Sequence, residues 1–339
     1  MKVVHLITGL RVGGAETMLL KLLTHFKAAG GPEGAVINLS GVGPMAAPIE
    51  ALGIPVTSIS MSPGIGAFLK LARLRGAIEE ARADIVQTWM YHANLMGALA
   101  LRGSRQPALI WGLRQTGLDP RLSKRRTALV ARAGARMSGR VPDRIVCVSE
   151  SARDHHAAMG YDAAKMVVIP NGFDLDILRP DPEARRAVRA ELGAGDETPV
   201  IGLVARVDPQ KDHATFFAAA GIVARSWPQA MFVLCGEGAE DSNADLANQI
   251  VGAGLGGRVR LLGVRRDVAR VTAAFDLAVS SSAFGEGFSN ALGEALCCAV
   301  PVAVTDVGEA RAIVGREGRV VAPADPEALA AAIGDLLGL

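Results

Sequence analysis

The stretch VIGLVARVDPQKDHATFFAAAGIVARSWPQAMFVLCGEG, residues 200–238, decides the fold. Val200–Val204 is a short apolar run rich in β-branched residues, and Met231–Cys235 is another. Between them lie a loop bearing charged residues and a longer segment of helical length. Strand, crossover helix and strand in that order imply two parallel strands in one sheet. Working outward, the alternation continues in both directions. Candidate strands Val3–Thr8, Gly34–Leu39, Pro55–Ser58, Ile85–Thr88, Ala108–Gly112 and Arg144–Val148 precede this unit. Val259–Leu262, Leu277–Val279, Val302–Val304 and Arg319–Val321 follow it. A turn-rich span, Lys165–Pro180, with Pro170, Asn171-Gly172 and Pro180, separates the two series. The expected organisation is a first domain over 1–168, a hinge over 169–180 and a second domain over 181–339. The expected fold class is α/β, with two Rossmann-like domains facing a central cleft.

Composition agrees with two globular domains. A chain of 339 residues exceeds what one hydrophobic core usually supports. The net charge of +2 gives no bulk attraction to nucleic acid, and 4% aromatic residues leave little for base stacking, so no nucleic-acid partner is expected. The cysteines Cys147, Cys235, Cys297 and Cys298 match no metal or redox spacing and read as reduced thiols of a cytoplasmic protein. Met1–Leu10 is too short for a signal peptide and reads as a first buried strand. No apolar stretch reaches the roughly 18 residues of a membrane-spanning helix.

The second domain carries the densest chemistry. In FGEGFSNALGEAL, residues 284–296, Glu286 stands in a loop between Gly285 and Gly287, and Glu294 lies inside a helix starting near Ser289–Asn290, with Asn290 the candidate cap. The first-turn amides from Phe288 to Ala291 lack intrahelical partners, and the positive end of the helix dipole makes them a cradle for phosphate. Arg206 and Lys211 follow the Val200–Val204 strand. The first offers a planar fork and the second a point charge to a departing diphosphate. Loop carboxylate, phosphate cradle, helical carboxylate and two cations suit a sugar nucleotide.

These residues, together with Gly13-Gly14-Ala15-Glu16, Val168-Ile169-Pro170-Asn171-Gly172 and Leu234-Cys235-Gly236-Glu237-Gly238, resemble the retaining GT-B glycosyltransferases of family four, the glycosyl transferases group 1. The resemblance covers nearly the whole chain. It implies transfer from a nucleoside diphosphate sugar to a hydroxyl of a glycan or lipid-linked acceptor held by the first domain, without a metal or other cofactor. Glu286 would contact the donor sugar's hydroxyls, and Glu294 the ribose. Phe288, Ser289, Asn290 and Gly287 would approach the donor, with Gly236 and Gly238 nearing the nucleotide. His92, in Gln87–Asn94 beyond a first-domain strand, would lie beside the transferred sugar; otherwise it is a structural histidine. Gly13 and Gly14 would near the donor phosphates or the acceptor, or form a plain strand-to-helix turn; they are not a dinucleotide fingerprint. No side chain stands out as a nucleophile, so same-face attack is the family-based expectation. Family members continue beyond a helix like Ala328–Leu339, so the terminal crossover helix is expected to be missing.

Residues 121–140 hold seven Arg or Lys and no acid. At about 100° per residue, Arg121, Arg125, Arg132, Arg136 and Arg140 form one stripe. A solvated face and an anionic membrane surface explain it equally well. The second reading makes the protein peripheral at the inner face of the cell membrane, in cell-envelope, exopolysaccharide or lipopolysaccharide synthesis. His5 and His25 read as structural, and His213 as a neighbour of the Arg–Lys loop. Rival functions are a sugar-nucleotide epimerase on the same fold and a catalytically silent sugar-nucleotide-binding subunit.

Overall fold

The computed structural model describes residues 1–60, 67–104, 106–118, 125–316 and 318–338. The chain divides into two compact units, Met1–Asn171 and Gly172–Leu339, a boundary that falls inside the 169–180 segment.

The strands of the first unit are β1 (Lys2–Ile7), β2 (Glu33–Asn38), β3 (Val56–Ser58), β4 (Ile85–Trp89), β5 (Ala108–Leu113), β6 (Arg144–Cys147) and β7 (Met166–Val168). They pair in the order β3-β2-β1-β4-β5-β6-β7, all parallel. The strands of the second are β8 (Val200–Val204), β9 (Met231–Cys235), β10 (Val259–Leu261), β11 (Leu277–Ser280), β12 (Val302–Thr305) and β13 (Arg319–Val321), in the order β10-β9-β8-β11-β12-β13, again all parallel. Both sheets are doubly wound α/β sheets whose strand order reverses beside the first strand. β7 corrects the sequence reading. Met166–Val168 lies in the span read as turn-rich, because three residues carry no periodicity of their own. Pairing with β6, Ile145 opposite Met166, makes it a strand.

Both faces of the second sheet are buried. Ile201, Leu203, Phe232 and Leu234 pack on one side with Phe216, Phe217, Leu329 and Ile333. Val200, Met231, Val233 and Cys235 pack on the other with Phe275, Leu292 and Val314. Side chains alternate across a strand, so continuous apolar runs are what a sheet covered on both faces requires. In the first unit Ile7, Leu10, Leu19, Leu23, Val36 and Ile49 form the matching core beneath the Gly14–Ala28 helix.

Arg189, on the Pro182–Leu192 helix, is 4% exposed. Its Nη1 donates to Asp276 Oδ2 at 3.0 Å and Ala274 O at 3.3 Å, and its Nη2 to the carbonyls of Gly195, Asp196 and Thr198 at 2.5, 3.0 and 2.6 Å. Asp276 also accepts from Arg185 and from the Val200 amide. One guanidinium thus joins a helix, a loop and the approach to β11. Among the described residues, no helix is long and apolar enough to cross a membrane.

Candidate functional site

In an open parallel sheet, ligands bind beyond the carboxyl ends of the strands where the strand order reverses. That point lies between β8 and β11 in the second unit, and the residues singled out there follow those two strands. A shallow crevice opens at this place, lined by the ends of β8 and β11 and by Lys211, Ser281, Ser282, Ser289 and Ala291.

The loop after β8 is set by two aspartates. Asp208 accepts from Gln210 N at 2.9 Å and caps the Pro209–Lys211 turn. Asp212 takes a left-handed conformation (φ 45°) and caps the His213–Ser226 helix, accepting from Thr215 N at 3.1 Å and Thr215 Oγ1 at 2.6 Å. Short side chains that bond their own backbone favour such turns. Arg206 stands exposed on this loop, its Nε 3.3 Å from Asp208 Oδ2 and its Nη2 3.3 Å from Gln210 Oε1. His213 is buried with Nε2 unpaired, and desolvation, followed by the Lys211 charge, lowers its pKa to about 4, so it is neutral near pH 7.

The loop after β11 is stitched to the first. Ser281 Oγ donates to Lys211 O and Ala283 N to Gln210 O, both at 2.8 Å. Lys211 Nζ donates to Glu286 Oε1, and Ser282 Oγ donates to the same oxygen at 2.8 Å. The side chains of this ion pair are 18% and 10% exposed. Lys211 and Glu286, assigned by the sequence to different parts of a donor, therefore form one charge cluster. Gly308 supports it from behind. Its φ is +64°, and a Cβ there would lie 1.8 Å from the Glu286 carbonyl oxygen, so only glycine fits.

The helix that follows spans Asn290–Cys297. The residue at its N-cap is Ser289, in extended conformation with no side-chain cap bond, and Asn290 is the first helical residue rather than the cap. The carbonyl of Ser289 accepts from Gly293 N at 3.3 Å, which starts the helix one residue earlier than the amide side chain suggested. Gly287 and Ser289 are buried; Phe288, Asn290 and Glu294 are partly so. Phe173 packs on this helix, since a Cβ on Gly293 would lie 2.1 Å from its Cζ, and its ring centroid is 6.1 Å from that of Phe288.

Gly236 and Gly238 follow β9. A Cβ on Gly236 (φ +150°) would meet Ala205 O at 2.2 Å, and one on Gly238 would meet Val207 Cβ at 3.0 Å. Their closeness to the loop after β8 is thus reason enough for glycine, apart from any ligand. Ser281, Ser282, Thr305 and Gly308 belong to this site and escaped the sequence reading. Thr305 Oγ1 donates to Ser282 O at 2.6 Å. A run of serines closing an apolar strand was the available signal.

In the first unit the reversal point lies between β1 and β4. Gly13 and Gly14 follow β1, and His92 follows β4. Gly13 sits, extended, at the N-cap of the Gly14–Ala28 helix, where a Cβ would meet Glu16 Oε2 at 2.6 Å. His92 is the third residue of the Met90–Ala100 helix, which begins with Met90 at φ 75°. Such a conformation is strained for a residue bearing a Cβ. Buried Thr88 steadies the junction by donating to Asn94 Oδ1 at 2.6 Å. Burial pushes the His92 pKa down, so the ring is neutral at physiological pH. Of the basic stripe, Arg121 lies outside the described residues. Arg125, Arg132 and Arg136 are exposed, on or at the end of the Arg125–Ser138 helix, with Arg140 just beyond it; Ala131, Gly134, Ala135 and Ser138 face inward.

Comparison with known proteins agrees with this geometry. Residues 198–338 match the family model described as Glycosyl transferases group 1, and residues 12–177 match Glycosyltransferase Family 4. Over 217 residues the chain is 30% identical to a GDP-mannose-dependent alpha-(1-6)-phosphatidylinositol monomannoside mannosyltransferase of Mycolicibacterium smegmatis, covering 61% of this chain and 56% of that protein. Over 275 residues it is 26% identical to a UDP-Gal:alpha-D-GlcNAc-diphosphoundecaprenol alpha-1,3-galactosyltransferase of Escherichia coli, covering 79% of this chain and 69% of that protein. The chain thus spans little more than half of the first of these relatives. The crystal structure of Anabaena Alr3699/HepE in complex with UDP-glucose aligns with a TM-score of 0.87 at 25% identity, over 99% of this chain and 90% of that one. The chain belongs to the group 1 glycosyl transferases, glycosyltransferase family 4, and its two Rossmann-like domains are those of the GT-B fold.

Proposed function

We propose that this protein moves a sugar, with retention of its anomeric configuration, from a nucleoside diphosphate donor held by the second unit to a hydroxyl of an acceptor held by the first. The observation that carries this reading is the cluster of Lys211, Glu286 and Ser282 at the reversal point of the second sheet, with Arg206 on the adjoining loop. As the glycosidic bond breaks, negative charge grows on the diphosphate. Arg206, Lys211 and the first-turn amides of the Asn290–Cys297 helix meet that charge without a divalent ion. Preorganised charge of this kind is usually the largest catalytic contribution. Glu286 holds the sugar's hydroxyls and Glu294 the ribose, while neutral His92 donates to a sugar hydroxyl.

A panel of sugar nucleotides screened by thermal shift identifies the donor, because a ligand that binds only the folded state raises its melting point. Incubation with that donor and NMR of the product then tests the reaction. Free nucleoside diphosphate and an α-linked product from an α-linked donor support transfer with retention. An isomerised sugar nucleotide without free diphosphate identifies an epimerase, and binding without turnover a silent subunit.

The two glutamates separate by calorimetry. Glu294→Ala weakens binding of free nucleoside diphosphate, because its partner is the ribose. Glu286→Ala damages transfer but leaves that affinity intact or raised, since it frees Lys211 to meet the diphosphate. Equal loss of affinity in both variants overturns this division.

The relatives named above act on a phosphatidylinositol mannoside and on a diphosphoundecaprenol-linked sugar. By analogy the acceptor here is lipid-linked, in cell-envelope polysaccharide synthesis, and the protein is peripheral at the cytoplasmic face. Leu129, 63% exposed between Arg125 and Arg132, gives the basic stripe an apolar residue to insert. Each Arg near an anionic surface contributes about 1 kcal/mol, and salt at 1 M shortens the Debye length to about 3 Å. The protein should therefore sediment with anionic but not neutral liposomes, and release at high salt. Replacing Arg125, Arg132 and Arg136 by Gln should abolish sedimentation; indifference of the parent protein to anionic liposomes at low salt makes the stripe a solvated face.

A further inference from the structure

Arg114 is the first residue beyond β5. The register of the sheet pairs Trp89 with Gly112, so Arg114 and Gln115 leave β5 beside Met90 and Tyr91 as they leave β4. Met90, Tyr91, Leu113, Arg114 and Gln115 line one shallow surface depression. This is the edge of the first unit that carries His92. The Arg114 guanidinium carbon stands 5.1 Å from the centroid of the Trp89 ring, and Nη2 donates to Asn171 Oδ1. Among the described residues no carboxylate lies within 4.0 Å of this guanidinium. Burial pushes its pKa down to about 10, which leaves it charged at physiological pH.

The surroundings make this an unusual place for an arginine. Withdrawing a cation from water is costly unless an opposite charge compensates it, and here a ring face and a neutral amide stand where the carboxylate would be. An arginine needed only for packing is more economically replaced by an apolar residue or paired with an acid. Arg189 in the second unit shows the paired solution, with Asp276 and four backbone carbonyls around it. Arg114 has no such set. A guanidinium has five N–H donors in a fixed fork that matches phosphate, and the Trp89 face holds its plane so that the fork keeps one orientation. Leu113 and Met90 give the depression apolar neighbours, which tolerate an apolar group beside the phosphate. Tyr91 adds no competing charge, for burial raises its pKa to about 12 and its hydroxyl is engaged at 2.6 Å with His156 Nε2.

We infer that Arg114 anchors a phosphate carried by the acceptor, seated over Trp89 at the β4–β5 edge of the first unit. This rests on the reading above that the first unit holds the acceptor. A phosphate bound here would position the acceptor hydroxyl, so Arg114 is a specificity determinant and takes no proton in the reaction.

Trp89 is a built-in reporter. Phenyl phosphate, geranyl diphosphate and the uncharged alcohols phenol and geraniol are titrated into the full-length protein while tryptophan fluorescence is followed. The phosphate esters should change the emission saturably and the alcohols should not, and Trp89→Phe should remove the response. Arg114→Gln should weaken phosphate-ester binding at least tenfold, and Arg114→Lys, which keeps the charge without the fork, by less. Asn171→Ala, which removes the amide partner of Arg114 and leaves the guanidinium in place, should retain it. Calorimetric affinity for the nucleoside diphosphate of the identified donor should match the parent in every variant. Tighter binding of geranyl diphosphate assigns the phosphate to a lipid diphosphate and parity assigns it to a soluble phosphate ester; both uphold the anchor. Parent-like phosphate binding by Arg114→Gln, or by both variants when only Arg114→Lys folds, overturns it, as does an equal response to geraniol. Arg114-dependent binding in a protein that binds no nucleoside diphosphate would sink the transferase reading and leave the phosphate site standing.

Discussion

Arg206→Ala should lower kcat about 10²–10³-fold, the usual cost of removing one preorganised donor aimed at charge that develops in the transition state. Its stability should change little. Arg206 is exposed and reaches Asp208 and Gln210 only at 3.3 Å, and exposed pairs contribute about 0–1 kcal/mol. Lys211→Ala should lose the same order of rate but carry a second effect. Glu286 is buried and would lose the charged partner that shares its Oε1 with Ser282, so the variant should also be less stable than Arg206→Ala. Comparing kcat per folded molecule at saturating donor separates the two effects. Near-normal turnover in either variant removes the diphosphate-clamp assignment. A rate loss in Lys211→Ala that disappears after correction for the folded fraction makes that lysine a structural partner of Glu286.

Arg189→Leu should be the most destabilising single change in the second unit. Removing one partner of a buried pair typically costs about 3–5 kcal/mol, and here three loop carbonyls also lose a charged donor. For a unit of this size that is a fall in melting temperature of about 10 °C. Arg185 still faces Asp276, which keeps the carboxylate from being wholly unpaired and holds the loss within that range. Lysine should not rescue, because a single ammonium cannot reach both arms of the set. Urea unfolding followed through Trp227, the one tryptophan beyond residue 171, checks this; a change below about 1 kcal/mol would mean that the loop finds other donors.

The strand series was legible because each signal is short-range. An apolar run such as Val200–Val204 declares itself within its own five residues. Asp208 and Asp212 likewise cap turns that begin beside them. β7 was not legible, because Met166–Val168 becomes a strand only when β6 offers it a ladder. The cap at Ser289 shifted by one residue because either polar side chain suits the position, and local sequence alone does not choose between them.

At the candidate site, residue types and spacing declared Arg206, Lys211, Glu286 and Glu294, because a charged residue beyond a buried strand has few structural uses. Sequence by itself determined the doubly wound α/β plan, the division into two domains and the strand ends that carry the candidate site, all of which follow from local periodicity and chain chirality. Only the tertiary structure decided that Lys211 and Glu286 are one ion pair, that Gly308 leaves room for the Glu286 backbone, that Arg189 joins Asp276 to a distant loop, and that Arg114 stands over Trp89 with no acid beside it among the described residues. Those partners lie tens of residues apart along the chain, and charge pairing, steric exclusion and desolvation depend on distance in space, which appears only when the strands have found their neighbours.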